Sequence, residues 1–421
     1  MHTVAFPPSS DSAPPDAPET DRASTRDKTG MGPRAARVAR RGYSRDAISP
    51  LDRGPAHGAT LTAQLRDLAM RADRGESTLA ASIRLLRDAR RLDAAHCMRW
   101  VDDWRALYGT LLWIAGVDLS LARVLEGHAN ALQLVERLGT QTQREQIRLR
   151  VREGSLLGVW GADGEDPVRL SSDGCRLQGT KAFASGLGLV DVAILTAARD
   201  GDQQLCVVDV AKADAEDGSR ARPGRWQMSG MRASASGDYC VDGLGADAFA
   251  LLGAPGVYQA EPWFLGGVWR IAAIQLGGTF GLLESARATL ASRGRLDADA
   301  QVARLAPLVH RAIAAAGLVE RAADHAHARE AVRDPERAVA LSVFARLHTE
   351  ALAQDAIGAC ERSVGLAHFR DDAPTGRQAR DLSVYLRQAA GDALLLRAGR
   401  HALLGDAPLA SLAVSFGSDR S

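Results

Sequence analysis

Between Arg380 and Asp392 the chain reads RDLSVYLRQAAGD. Two arginines, a tyrosine and a glutamine stand there on an expected helix, and no carboxylate lies between the two aspartates. If this stretch lines an active site, it lacks an evident group to move a proton, because abstraction needs a base within hydrogen-bond reach and at a tuned pKa. Metal chemistry has no better support. Among ten histidines, His325 and His327 stand two apart, a spacing that turns them to different helix faces, so no metal is expected. The five cysteines (Cys97, Cys175, Cys206, Cys240, Cys360) are odd in number and far apart, with no C-x-x-C. That fits a reducing compartment and argues against zinc or a disulfide framework. GGTFG (Gly277 to Gly281) is not G-x-G-x-x-G and follows no strand. It reads as small residues for close helix packing, not as a dinucleotide loop.

The elements that must position these groups follow from composition and periodicity. The 421 residues imply about two or three domains. Hydrophobic residues make up 46% and charged residues 24%, the balance of a globular protein with a large core. A net charge of +1 gives no reason to expect nucleic acid or an anionic membrane as partner. The longest apolar stretch, Leu107 to Val117, ends at Asp118, short of the roughly 20 residues a membrane span needs. With no apolar signal region at the start, a cytoplasmic protein is expected.

Residues 1–55 hold Pro, Ser, Asp and Arg with almost no apolar periodicity, and are expected to be disordered, RAARVARR (Arg34 to Arg41) being a solvated basic stretch. Residues 56–155 read as helices. Leu61, Leu65, Leu68 and Ala69 share one face, a second helix is expected to start at Ser77, and a third carries Leu121, Leu125, Ala129, Leu132 and Val135 to a left-handed stop at Gly139. Residues 156–255 turn to short strands: RLQGTKAFAS, VDVAILTAA and QLCVVDVAK. Asp173-Gly174 and Asp200-Gly201 mark tight turns, the second a hairpin. Residues 256–413 return to long helices, broken near Arg295 to Asp299, at Asp334-Pro335 and by the loop Phe369 to Arg377. Helices, then strands, then helices is an α+β order.

Five segments, in this order, resemble the acyl-CoA dehydrogenase superfamily: LVERLGTQTQREQIRLRVREGSLLGVWGA (Leu134 to Ala162), LQGTKAFASGLGLVDVAILTA (Leu177 to Ala197), GMRASASGD (Gly230 to Asp238), ERSVGLAHF (Glu361 to Phe369) and RQARD (Arg377 to Asp381). The resemblance covers about residues 60 to 410. It implies an N-terminal helical domain, a central β-barrel-like domain and a C-terminal four-helix bundle. It also implies FAD between the last two, in a homodimer or homotetramer whose neighbouring subunit touches the ADP half. Trp160, Gly161 and Ala162, with Phe183, Ala184 and Ser185, fall where relatives wall and hydrogen-bond the flavin ring. Phe183 stands for the usual Trp, and the T-E pair of the first loop is absent. Arg293 falls on the arginine that pairs with the flavin diphosphate across the dimer. Arg362 and Gly365 fall on the Q-x-x-G loop, with Arg362 in place of glutamine. Arg232 and Ser234 are candidates for the substrate side. Read without the resemblance, Trp160 and Phe183 fill the core, Arg293 and Arg362 are surface arginines, and Arg232 makes a salt bridge that locks its turn.

Dehydrogenation of an acyl thioester needs a carboxylate to take the α-proton. In relatives it stands nine residues after the arginine of the R-D pair, here Ala389, or on the first bundle helix, here Gly267 by count from Gly277. Both seats are empty. Asp392 and Glu261 are the substitutes in reach of the sequence. The first expectation is α,β-dehydrogenation of an unusual acyl-CoA or other acyl thioester, with electrons passed to an acceptor such as an electron-transfer flavoprotein. The alternatives are a flavin-dependent monooxygenase resembling the dibenzothiophene-monooxygenase branch, which lacks this Glu, and a non-catalytic flavin-binding protein.

Overall fold

The structure, a computed structural model, describes residues 58–413. The 1–55 segment, with RAARVARR, lies outside the described residues. Six helices come first: α1 (Gly58–Asp73), α2 (Leu79–Asp88), α3 (Ala94–Asp102), α4 (Trp104–Ala115), α5 (Leu119–Leu138) and α6 (Gln141–Arg152). Thr78, not Ser77, precedes α2. Asp118 caps α5 by accepting the Ser120 and Leu121 N–H groups at 2.9 and 3.2 Å. Gly139 ends α5 as expected, but in extended backbone (φ −74°), not left-handed. Its lack of a side chain serves close approach instead, since a Cβ would stand 2.6 Å from the Val135 carbonyl oxygen.

The strands are β1 (Leu157–Trp160), β2 (Arg169–Leu170), β3 (Arg176–Gln178), β4 (Thr180–Ala184), β5 (Val192–Arg199) and β6 (Asp202–Asp209). After a short helix α7 (Val210–Glu216) come β7 (Ala221–Arg222), β8 (Gly237–Cys240), β9 (Leu244–Gly245) and β10 (Phe249–Leu252). One sheet runs β10-β6-β5-β2-β3-β9 with β1 parallel to β5, and a second runs β4-β8-β7. Together they form the barrel-like middle domain. The β5–β6 hairpin turns through Asp200-Gly201, both at positive φ (50° and 91°), which matches the twist of its strands.

The C-terminal bundle is built from α8 (Trp269–Ser292), α9 (Asp299–His327), α10 (Pro335–Val364), α11 (Pro374–Tyr385) and α12 (Gly391–Leu404). The buried α8 lies against α4, α9, α10 and α11. Gly277 and Gly281 let it touch α4, since a Cβ on either would stand 2.5 Å from Leu112 O or 2.3 Å from Gly116 O. α9 is long and apolar enough to cross a bilayer by length and composition; Ala315, Val319, Ala322 and Ala323 are buried in the bundle, while Val302, Val309 and Ile313 are exposed. The helix expected through Arg380 to Asp392 breaks after Tyr385, and Ala390 takes φ +59° before α12 begins. Arg346 of α10 holds the Ala389 carbonyl at 3.2 Å, which draws that acceptor away from a continuous helix.

All three layers meet at Asp381. One oxygen accepts the Met231 N–H at 2.6 Å, and the other the Arg377 guanidinium at 3.0 Å. Arg377 also donates to the Val117 carbonyl at 2.7 Å, and Arg380 to Asp73 at 2.6 Å. Gly230 presses on the Arg380 carbonyl so closely that a Cβ would stand 2.1 Å from its oxygen. Removing one partner of a buried ion pair strands the other. Asp381→Ala should therefore lower unfolding stability by about 3–5 kcal/mol in urea titration; a loss under about 1 kcal/mol would contradict the assignment.

Candidate functional site

A cavity of about 520 Å³ lies between α5, the segment from Tyr258 to Ile271, the end of α9, α10 and the α11–α12 turn. Val159 and Gly161 supply its β-domain side. The volume suits a ligand of drug-like size. Gly267 and Ala389, the two seats counted for a base, both line it.

Glu126 of α5 is the one carboxylate among the lining residues. Arg270 and Arg123 each donate to one of its oxygens at 3.0 Å. Arg270 also donates to Gln133 Oε1 at 3.2 Å, and the Gln133 amide donates to the Trp100 carbonyl at 2.9 Å. With both oxygens holding guanidinium groups, Glu126 is poorly placed to accept a substrate proton. The sequence offered one signal for it: from Leu121 to Leu134 only Arg123 and Glu126 are charged. Neither substitute base is in the cavity. Glu261 accepts the Leu265 and Gly266 N–H groups at 2.9 and 3.3 Å and faces Arg397 at 3.5 Å. Asp392 is exposed on α12, past the break that separates it from Ala389.

Aromatic groups make up much of the remaining wall: Tyr258, Trp263, Phe264, Trp269 and Tyr385. Arg137 stacks on Trp263 at 3.7 Å, and Tyr258 meets Phe264 edge-on at 5.1 Å. Burial raises the pKa of the Tyr385 and Tyr258 phenols, so both remain O–H groups at neutral pH. His327 lies edge-on to Trp269 at 5.6 Å. Its Nδ1–H donates to the Ala323 carbonyl at 2.9 Å, which leaves Nε2 as a lone-pair acceptor. Burial first, then Arg270 and Arg137, lower its pKa to about 4. Nothing in the spacing of His325 and His327 signals this place for His327.

The turns expected to wall a flavin sit on the edge of the β domain. Lys181, fully buried, donates to Asp163 Oδ1 at 2.6 Å and to the Thr196 hydroxyl at 2.8 Å. The Thr196 hydroxyl donates to the Gly161 carbonyl at 3.1 Å. The lysine of the G-x-K pattern thus props the turn that carries Gly161 and Ala162. Both residues are exposed, and the Ala162 carbonyl accepts the Ala182 N–H at 3.0 Å. A bulge between Lys181 and Ala184 turns Phe183 outward. Phe183 holds φ +54°, is 59% exposed, and meets the edge of Trp226 at 6.3 Å. A bulky residue in the left-handed region is strained and persists where its surroundings fix it.

Trp160 is core: its indole N–H donates to the Ser185 carbonyl at 3.1 Å and its ring lies 4.9 Å from Tyr239. Ala184 is buried, while the half-buried Ser185 hydroxyl accepts from Ser236 at 3.1 Å. Ser234 is buried too, donating to the Met231 carbonyl at 2.8 Å, so its hydroxyl is not open to a substrate. Arg232 is exposed, with no salt bridge to lock its turn among the described residues. Arg293 donates to the Val364 carbonyl at 3.0 Å, beside Gly365 (φ +71°), so these two distant residues share one place. Arg362 lines a separate, shallower groove between α9 and α10. No cluster of metal-ligating side chains occurs among the described residues.

No protein-family model matches the chain, and no curated protein matches it in sequence. Solved structures do. Dibenzothiophene monooxygenase TdsC from Paenibacillus sp. A11-2 shares 19% identity over 83% of this chain and 97% of its own, with a TM-score of 0.71. It has also been solved with FMN bound. Methanesulfinate monooxygenase MsuC from Pseudomonas fluorescens shares 18% identity over 88% and 99% of the two chains, with a TM-score of 0.68. A nitrososynthase from Micromonospora carbonacea var. africana shares 19% identity over 85% and 98%, with a TM-score of 0.67. The chain has the fold of the acyl-CoA dehydrogenase superfamily.

The buried imidazole of His327 gives a pH prediction. Its folded pKa of about 4 lies below the ordinary 6.5, so the unfolded chain takes the proton first. Its contribution to stability is whole above about pH 6.5 and is lost as pH falls toward about 4. His327→Gln should lose less stability than wild type across that window in calorimetric melts. Parallel curves would contradict the buried neutral ring.

Proposed function

We propose that the protein is a flavin-dependent monooxygenase that takes reduced flavin, FMN in the first instance, and oxygenates a sulfur or nitrogen atom of a substrate held in the cavity. The observation that carries this reading is the cavity itself. Both seats for a proton-abstracting carboxylate are a glycine and an alanine, and the one carboxylate present is held by two arginines. The activities of the similar structures, oxygenation of dibenzothiophene and of methanesulfinate, and the FMN bound in one of them support it.

The residues fit a flavin ring. Phe183 offers an aromatic face that packs on little else, and Gly161 leaves open space, since a Cβ there would meet only the Tyr258 hydroxyl, at 3.9 Å. Reduced flavin supplies the two electrons for dioxygen activation, one oxygen atom going to the substrate and the other leaving as water. The chain supplies the rest. Lys181 and Asp163 fix the turn beside the ring. The aromatic wall excludes water, and the Glu126–Arg270–Gln133 network keeps that wall rigid. Tyr385 presents a protonated hydroxyl and His327 a neutral acceptor. Attack by a lone pair on sulfur or nitrogen needs no base at carbon, which matches what the cavity lacks.

A second reading is dehydrogenation of an acyl thioester, with FAD and an external electron acceptor. It rests on Glu126, a carboxylate inside the cavity. One experiment separates the two. Protein given FMN, NADH, a separate flavin reductase and isotopically labelled dioxygen should oxygenate members of a thioether and amine panel with label in the product. Anaerobic addition of an acyl-CoA panel to flavin-loaded protein should leave the flavin spectrum unchanged. Bleaching by a thioester would overturn the oxygenase reading. In the same preparation Phe183→Ala should weaken FMN binding about three- to ten-fold and leave the melting temperature unchanged; unaltered binding would remove Phe183 from the flavin wall.

A further inference from the structure

Arg346 has donor groups beyond the one that holds the Ala389 carbonyl. It stands on α10, is 3% exposed and lines the cavity. One of its nitrogens donates to the Ala389 carbonyl at 3.2 Å. Its Nε and Nη2 are buried with no hydrogen-bond partner. No acid comes within salt-bridge distance of it among the described residues. Buried guanidinium N–H groups left unpaired cost stability, so a folded protein that keeps them points to a partner that arrives later.

The turn above Arg346 adds a second feature of the same sign. α12 starts at Gly391 with Ala390 as its N-cap residue and no side chain capping it. The first N–H groups of a helix have no intrahelical acceptor and carry the positive end of its dipole. A Cβ on Gly391 would lie 4.0 Å from Arg346 Nη2, so guanidinium and helix start are neighbours. Ala389 and Ala390, which line the cavity beside Arg346, have side chains no larger than a methyl. Asp392, in the first turn, is exposed, and its carboxylate is the opposing charge on that turn.

We infer that Arg346 and the uncapped start of α12 form an anion-binding subsite in the cavity, and that the substrate carries a compact oxyanion, a carboxylate, sulfonate or phosphonate, seated against Ala389. The inference rests on the proposed function for placing a substrate in this cavity. The position where a dehydrogenase would hold a carboxylate of its own is here made to receive one. The anion anchors the substrate from the bundle side, and its reacting atom is then directed toward the wall formed with Gly161.

Titration calorimetry with phenylacetate and its neutral isostere phenylacetamide tests this on the full chain, with and without saturating FMN. Phenylacetate should bind wild type at least about ten-fold more tightly than the amide, a usual margin for a charged hydrogen bond. Arg346→Gln should abolish the preference, and Arg346→Lys should keep part of it. Arg346→Met, which removes the unpaired N–H groups, should melt no lower than wild type when no anion is added. Equal affinity of the pair, binding of neither, or an intact preference in Arg346→Gln would overturn the assignment. Displacement of phenylacetate by FMN would also overturn it, because the cation would then serve the flavin phosphate. Binding is read without turnover. A failed oxygenation assay with the preference intact removes the proposed reaction and leaves the subsite, and a lost preference with oxygenation intact does the reverse.

Discussion

Asp381 accepts the Met231 N–H with one oxygen and the Arg377 guanidinium with the other, and Arg377 reaches on to the carbonyl that precedes the cap of α5. The β domain, the first helical domain and the bundle are therefore joined through one buried ion pair. Burial raises the Asp381 pKa to about 6, with Arg377 and the Met231 N–H opposing the rise. A carboxylate so enclosed costs desolvation energy that only good geometry offsets. What that geometry secures is position. α5 brings Arg123, Glu126 and Gln133 to the cavity, α11 brings Tyr385, and neither can shift without straining the junction. The cavity is a gap between three bodies, and its shape depends on how they are held.

Within that frame the charge arrangement bears on which chemistry the cavity supports. Arg123, Arg137, Arg270 and Arg346 line the cavity against one carboxylate. That carboxylate is already shared between two of the arginines. An excess of cations around an aromatic pocket suits a substrate that carries negative charge and has an oxidisable atom. It does not suit removal of a proton from carbon. The two turns at the edge of the β domain are built on different principles, with a buried lysine propping one and a strained phenylalanine on the other.

Much of the fold was legible because it follows local periodicity. The β5–β6 hairpin announced itself by Asp200-Gly201 between two apolar runs, and the packing role of Gly277 and Gly281 by a lack of strand context. The break at Ala390 was not legible. It depends on Arg346, 44 positions earlier, reaching a carbonyl that local sequence assigns to a helix. The candidate site was legible in outline only. Phe183 reads as core, since aromatic residues usually are, and only the bulge exposes it. Glu126, His327 and Arg346 lie on Ala- and Leu-rich helices, where one polar residue among apolar neighbours has the same pattern whether it faces a cavity or a buried partner. Counting along the chain led to Gly267 and Ala389, which line the cavity, while Glu261 and Asp392, the substitutes it offered, stand elsewhere.

The central claim is that this cavity contains no carboxylate free to take a proton from the carbon beside a thioester. Exchange of the α-hydrogens of an acyl-CoA in deuterated water, followed by proton NMR on flavin-loaded protein, tests it most directly, because exchange needs a base and no oxidant. The account predicts that the α-proton signals persist as they do without protein. Their loss in the presence of wild type, and their return with Glu126→Gln, would show that Glu126 works as a base and contradict the account.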